Sequence, residues 1–319
     1  MPLVVGIDEA GYGPMLGPLV VAATVWNVRP QHADADLWQL LRGCVSRSAA
    51  GAAGRLTVND SKSVYGRKRG LSALERPVLA FATAAGLECR SLSGLLRELG
   101  VRLEAVGGLP WYRDLDLRLP VDQARSGFQA IAQRLTQTMA GAGAFCGALL
   151  AEVVAEDRFN QRVAATRNKA AVLVEHVLRL IDAAAARGTG QDVIVRVDRL
   201  GGRADYRRLL AAAFSERHVH VMEVSRQRSR YRLATADNDW FVEFCVGADG
   251  LYLPVALASM LAKYLRELLM LRFNEHWRAR LPTLRPTAGY YSDAQRFLAD
   301  IAPLLAEAGL PAGAFVRCR

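Results

Sequence analysis

The chain has 319 residues, enough to bury a sizeable core as one large domain or two modest ones, and its 51% hydrophobic and 23% charged residues are ordinary for a soluble globular protein. Its net charge of +10 is carried by arginine, the lysines being limited to Lys62, Lys68, Lys169 and Lys263; the excess favours polyanions such as nucleic acid or an anionic membrane surface, and it equally fits a GC-rich genome choosing Arg and Ala. No apolar run reaches the length of a membrane span, and the first apolar stretch lacks a basic leader and meets Asp8 at once, unlike a signal peptide. Cys44, Cys89, Cys146, Cys245 and Cys318 are dispersed without a CxxC pair, which argues against structural zinc and fits reduced thiols, so a cytoplasmic protein is expected.

Residues 3–8 and 18–26 read as buried strands joined by a turn rich in glycine and proline at 11–17. A helix is expected over about 67–85, after NDSKSVYGRKRG. From about 86 to 142 the pattern loosens into an inserted subdomain that contains PWYRDLDLRLP and an amphipathic helix near 122–140. A strand over 146–154, a periodic helix over 169–186, a strand over 192–198, a helix over about 203–214 and a strand over 218–225 follow. The segment from 225 to 249 forms a hairpin with DND at its turn, and a long helix over 253–277 precedes a helical tail. Three early strands and then alternating strand and helix give an α/β layer on a mixed sheet, flanked by helices.

Three acidic spots close apolar strands: Asp8 with Glu9 after LVVGI, Asp198 after VIVRV, and Asp249 after FVEFCVGA. Strand ends of α/β sheets are where sites are built. Carboxylates converging there repel one another, so cations belong between them, and hard oxygen ligands suit Mg²⁺ or Mn²⁺. Two such ions about 3.5–4 Å apart activate water and stabilise the leaving oxygen of a phosphodiester. Each acid taken alone also fits a solvated strand terminus. Asp8 and Glu9 are adjacent, so a regular strand would point them to opposite faces; for both to ligate, one must use the local distortion that Gly11 and Gly13 allow or contribute through its backbone carbonyl. Asp192, Asp237 and Asp239 read as turn or strand-start residues, with Asp239 the substitute should Asp249 fail.

The wording around these acids is specific. GIDEAGYGPMLGPLVVAA resembles the first motif of the type 2 ribonucleases H, and the resemblance continues in NDSK (59–62), EDRFNQRVAATRNKA (156–170), Asp198 in VIVRVD, ADGLYLPVALASMLAKYLRE (248–267) and TAGYYSD (287–293). These matches run in family order over about two-thirds of the chain, leaving roughly 31–56 and 86–142 without counterpart. The resemblance implies a ribonuclease H-like mixed five-stranded sheet, with a catalytic domain over 1–272 and a C-terminal helical unit over 273–319. It implies an endonuclease that cuts the RNA strand of RNA–DNA hybrids, or 5′ to ribonucleotides embedded in duplex DNA, as a monomer. Asp8, Glu9, Asp198 and Asp249 would hold two Mg²⁺ or Mn²⁺ ions. The backbone of Gly11, Tyr12 and Gly13 would touch the sugar 2′-hydroxyl, the group that tells RNA from DNA. Ser61 and Lys62 would contact phosphate, as would Ser259 and Lys263, and Tyr290 would stack on the sugar beside the scissile position.

The sequence departs from the family at Tyr12, where Arg or Lys is usual, at Arg199 in place of glycine, and at Tyr291. Two further readings therefore share the fold: a nuclease for another nucleic acid, and a nucleic-acid-binding protein without turnover. Arg226, Arg228, Arg230 and Arg232 recur every second residue, as a phosphate rail or as a charged edge strand would. Arg203, Arg207 and Arg208 form a second basic cluster, and Trp111 with Tyr112 reads as a base-stacking pair or as core. His218 and His220 share a strand face with no third ligand nearby.

Overall fold

The computed structural model describes residues 1–48, 54–65, 70–122, 127–307 and 312–318. The expected helix starts near 67 and 122 fall at segments 66–69 and 123–126, outside the described residues. In chain order the elements are β1 (Leu3–Ala10), β2 (Leu19–Val28), α1 (Leu37–Leu40), β3 (Val45–Ser46), β4 (Leu56–Thr57), α2 (Ser61–Val64), α3 (Ser72–Ala84), α4 (Leu92–Glu98), α5 (Leu103–Val106) and α6 (Phe128–Ala142). There follow β5 (Ala144–Val154), α7 (Glu156–Thr166), α8 (Lys169–Ala185), β6 (Val193–Asp198), α9 (Arg207–Ala213), β7 (His218–Val224), β8 (Arg228–Ala234), β9 (Asp239–Cys245), α10 (Ala248–Leu251), α11 (Leu253–Arg278) and α12 (Tyr291–Glu307).

One sheet of seven strands, in the order β5-β2-β1-β6-β9-β8-β7, organises the molecule. β1, β2 and β5 form an antiparallel meander, and β6 and β9 lie parallel to β1. The sheet thus has seven strands where the resemblance implies five: β8 and β9 form the hairpin expected within 225–249, and β7, the strand expected over 218–225, pairs antiparallel with β8 at the sheet's edge. The two-residue strands β3 and β4 pair separately.

The pleat divides β1 between two cores. Leu3, Val5 and Ile7 pack with Val172, Val177, Leu180 and Ile181 of α8 on one face. Val4 faces the other way, with Val20, Ala22 and Trp26 of β2, onto Ala256, Leu257, Met260 and Leu261 of α11. α11 comes so close to β1 that a Cβ at Gly6 would lie 2.2 Å from the Pro254 carbonyl carbon. Glycine is what lets the helix start sit directly on the strand, and this contact carries Ser259 to the strand's end.

The segment between β4 and β5 joins the same core as α11. Leu92, Leu95, Leu96, Phe128, Ile131 and Leu135 are buried there, and Trp111 is 2% exposed with its ring 5.2 Å from both Phe273 and Phe315. Trp111 and Tyr112 are therefore packing residues, not an open stacking surface. α11 runs without a break through residue 272, and Phe273, Trp277, Phe297 and Ile301 lie in that core as well. Among the described residues no helix is long and apolar enough to cross a membrane.

Candidate functional site

Strand register assembles the acids. Ile7 on β1 stands opposite Val197 on β6, and Val197 opposite Phe244 on β9, so Asp8 and Asp198 arrive level and the α10 turn carries Asp249 past the same end. Asp8 is 7% exposed; its Oδ1 accepts the Glu9 amide at 2.7 Å. Burial above all, then Glu9 and Asp198, pushes the Asp8 carboxyl well above the usual carboxylate range, against the Ser259 hydroxyl, which favours the charged form. Glu9 is pushed up to about 7 by burial and then by Asp198, with Lys62 opposing. Asp198 accepts the Ala248 amide at 2.9 Å; it too is raised by burial, against the amides of Ala248, Arg199 and Gly247 and the Lys62 charge. Asp249 is raised to about 6 by burial, then by Asp60 and Asp198. The four expected acids thus act on one another through space.

Asp60, within NDSK (59–62) but after no long apolar run that would mark it, is a fifth acid of the group. It caps α2 by accepting the Lys62 amide at 3.0 Å and the Ser63 amide at 3.3 Å, and it faces Asp249. The same cap presents Ser61, whose hydroxyl meets Ser259 Oγ at 3.1 Å, and Lys62, whose charge reaches Glu9 and Asp198.

Does this donor set fit Mg²⁺ or Mn²⁺? The donors are hard carboxylate oxygens, their shared charge is under-compensated, and Glu9 Oε2 is buried without a hydrogen-bond partner. A buried carboxylate oxygen without a donor is costly, and a divalent cation would relieve it. Among the described residues no three His, Cys, Asp or Glu side chains already stand at ligand spacing. The donor chemistry suits the ion, while β1 pairs regularly with β2 through Asp8 and Glu9, so the strand directs these two side chains to opposite faces.

Beside the acids the glycine turn leaves β1. Gly11 adopts φ +88°, and a Cβ there would strike the Pro18 carbonyl oxygen at 2.5 Å, whereas a Cβ at Gly13 would meet nothing within 4 Å. Tyr12 stands between them, half-buried, with the Lys169 ammonium 4.9 Å over its ring. Tyr290 is 53% exposed and joins this group because the preceding Gly289, at φ +83°, accepts the Met15 amide at 2.8 Å and the Leu16 amide at 3.2 Å. Lys263 is committed elsewhere. It pairs with Glu267 at 2.6 Å and lies 4.9 Å over the Tyr65 ring, while Tyr65 donates to the same Glu267 at 3.0 Å.

Five of the other arginines noted in the sequence are also engaged. Arg228 pairs with Glu243 at 3.4 Å, Arg230 with Glu223 at 3.1 Å and Arg232 with Asp239 at 2.8 Å. β8 lies between β7 and β9, so the stripe is an ion-pair ladder within the sheet and does not form an edge strand. Arg199 turns to the carbonyls of Ser225 and Arg226, fastening the β7–β8 turn. Arg207 pairs with Asp205 at 3.7 Å. Asp239 donates its amide to Asp192 at 3.0 Å at the start of β6 and β9, about 20 Å of strand from the acids, so neither joins them.

No family model and no curated protein matches the sequence. Among solved structures, the chain is similar to the ribonuclease HII of Archaeoglobus fulgidus, solved in complex with PCNA, at 18% identity over 99% of this chain and 94% of that one, with a TM-score of 0.41. It is similar to the ribonuclease H2 of Pyrococcus horikoshii OT3 at 15% identity over 99% and 92%, TM-score 0.42, and to Bst ribonuclease HIII in complex with Mn²⁺ at 12% over 99% and 66%, TM-score 0.41. Such distant likenesses carry no weight for function. The fold is a mixed α/β sheet flanked by helices, with the acids of the motifs gathered at one end of it.

Proposed function

We propose that the chain is a metal-dependent endonuclease that hydrolyses RNA within RNA–DNA hybrids, or cuts 5′ to ribonucleotides embedded in duplex DNA. The observation that carries this is the joining of Asp8, Glu9, Asp198 and Asp249 into one under-compensated acidic site beside a glycine turn and an exposed Tyr290. Those four carboxylates would hold Mg²⁺ or Mn²⁺, which when bound polarises the scissile phosphate and the attacking water.

The chain's own residues supply binding and orientation. Ser259 holds Asp8 through its hydroxyl and meets Ser61 across the gap between α11 and α2, so the acid and the α2 cap are positioned together. Lys62 stands at the rim, exposed and near the acids, where a phosphate would find a cation. The turn at 11–13 would meet the ribose 2′-hydroxyl through its backbone, a contact that survives Tyr12 in place of a cation. Tyr290 offers a ring face to the neighbouring sugar. Ser259 is 3% exposed, so its role is to set Asp8; Lys263, held by Glu267, would reach phosphate only by leaving that partner. Attack in line on phosphorus then leaves 5′-phosphate and 3′-hydroxyl ends, with no protein nucleophile. We place this activity in a cytoplasmic monomer.

The test is cleavage with Mg²⁺ or Mn²⁺ of three labelled duplexes: all DNA, DNA with one ribonucleotide, and a full RNA–DNA hybrid. Cleavage at RNA that disappears in Asp8→Asn supports the reading. Cutting of the all-DNA duplex, or no cutting of any, refutes it.

A further inference from the structure

Beneath the glycine turn lies a buried guanidinium that no sequence motif marked. Arg317 is 2% exposed and its side chain donates to three carbonyl oxygens of the turn: Gly11, Tyr12 at 3.1 Å and Gly17 at 3.4 Å. Its plane stacks 3.9 Å over the Phe159 ring, and its own amide donates to Met15 at 2.8 Å. The seat is fixed on both sides. Asn160 donates to the Val316 carbonyl at 2.8 Å and accepts the Cys318 amide at 2.9 Å, while Phe315 is buried against Trp111. Burial, then the nearby Arg266, lowers Arg317 to about 10, so it remains charged at neutral pH.

The direction of these bonds matters. In a trans peptide the carbonyl of one residue and the amide of the next point opposite ways. Drawing the Gly11 and Tyr12 carbonyls inward turns the Tyr12 and Gly13 amides outward. Among the described residues neither amide donates to a backbone acceptor, and the space around Gly13 is open. Arg317 therefore turns outward two amides that have no acceptor among the described residues, backed by a positive charge in a low-dielectric setting.

We propose that Arg317 is a positioning residue of the nucleic-acid site, holding the 11–17 turn so that its outward amides meet the sugar of the substrate. The inference rests on the nuclease reading above for its substrate, but not for the geometry of the turn. A fork of guanidinium donors is required to span adjacent carbonyls, which a lysine ammonium does poorly.

The experiment compares wild type, Arg317→Ala and Arg317→Lys on the one-ribonucleotide duplex. In parallel, amide exchange is followed at Met15 and Leu16, whose bonds to Gly289 report whether the turn is held. Arg317→Ala is expected to lose about 100-fold in kcat/KM, the scale of an ångström misplacement, with the half-maximal Mn²⁺ concentration unchanged. Met15 and Leu16 should exchange faster, Arg317→Lys should fall between the two proteins, and added methylguanidinium should recover most of the loss in Arg317→Ala. General loosening of the fold would not be repaired by a small cation. Activity within about threefold of wild type, or unchanged exchange at Met15 and Leu16, overturns the proposal. Should Arg317→Ala not fold, Arg317→Lys carries the same comparison. If wild type cuts no ribonucleotide-containing duplex, the nuclease reading falls, and exchange at Met15 and Leu16 with its methylguanidinium recovery decides by itself whether Arg317 sets the turn.

Discussion

Replacing Glu9 by Gln should make the metal-free protein more stable at pH 8 and change it little at pH 4.5. The Glu9 carboxyl moves from 4.5 to about 7 on folding, through burial and the proximity of Asp198. A raised carboxylate holds its proton more tightly when folded, so its contribution is intact below the unfolded value and is lost as pH climbs towards the folded one. The difference corresponds to about 3 kcal/mol of destabilisation once both states are ionised. Gln cannot ionise and escapes that loss. For a chain of 319 residues the melting entropy makes about 3 kcal/mol worth about 4–5 °C in Tm. The assay is thermal unfolding in EDTA at pH 4.5, 6 and 8. Mn²⁺ should then raise the Tm of wild type by binding the folded state, and raise that of Glu9→Gln less. A Tm difference that is the same at all three pH values would refute the account of Glu9 as an under-compensated carboxylate.

Gly6→Ala would place a methyl group 2.2 Å from the Pro254 carbonyl carbon, in backbone that cannot yield cheaply, and should cost at least about 2 kcal/mol in urea unfolding. Gly13→Ala meets nothing within 4 Å and should unfold like wild type, yet lose cleavage because the methyl projects where the turn would face substrate. Arg230→Ala and Arg232→Ala break ladder pairs with Glu223 and Asp239, so the dependence of duplex affinity on salt should stay as in wild type; a drop of about 1 in that slope for either would show a direct phosphate contact.

What was legible in the sequence is what depends on local pattern. Continuous apolar runs followed by acids mark β1, β6 and β9, because burial on both faces of a sheet demands such runs; Asp8 lies within the last paired residues of β1, Asp198 closes β6, and Asp249 lies just past β9 on α10. What stayed hidden depends on partners far along the chain. The arginines of β8 look like a phosphate rail by period alone, and only strand pairing supplies Glu243, Glu223 and Asp239 opposite them. Lys263 reads as a free cation until Glu267, one turn on, is seen to share it with Tyr65. Trp111 and Tyr112 carry no periodic signal, and their burial is decided by Phe273, Trp277 and Phe315, all more than a hundred and fifty residues later. Arg317 is the extreme case. Its neighbours in sequence, FVRCR, hold no motif, and its role follows from Asn160 and Phe159 on α7 fixing the backbone beside a turn some three hundred residues earlier. The motifs report where the acids and the glycines lie; the long-range contacts decide that Lys263 is held by Glu267, that the β8 arginines are held by their ladder partners, and that Arg317 acts through the backbone of the turn.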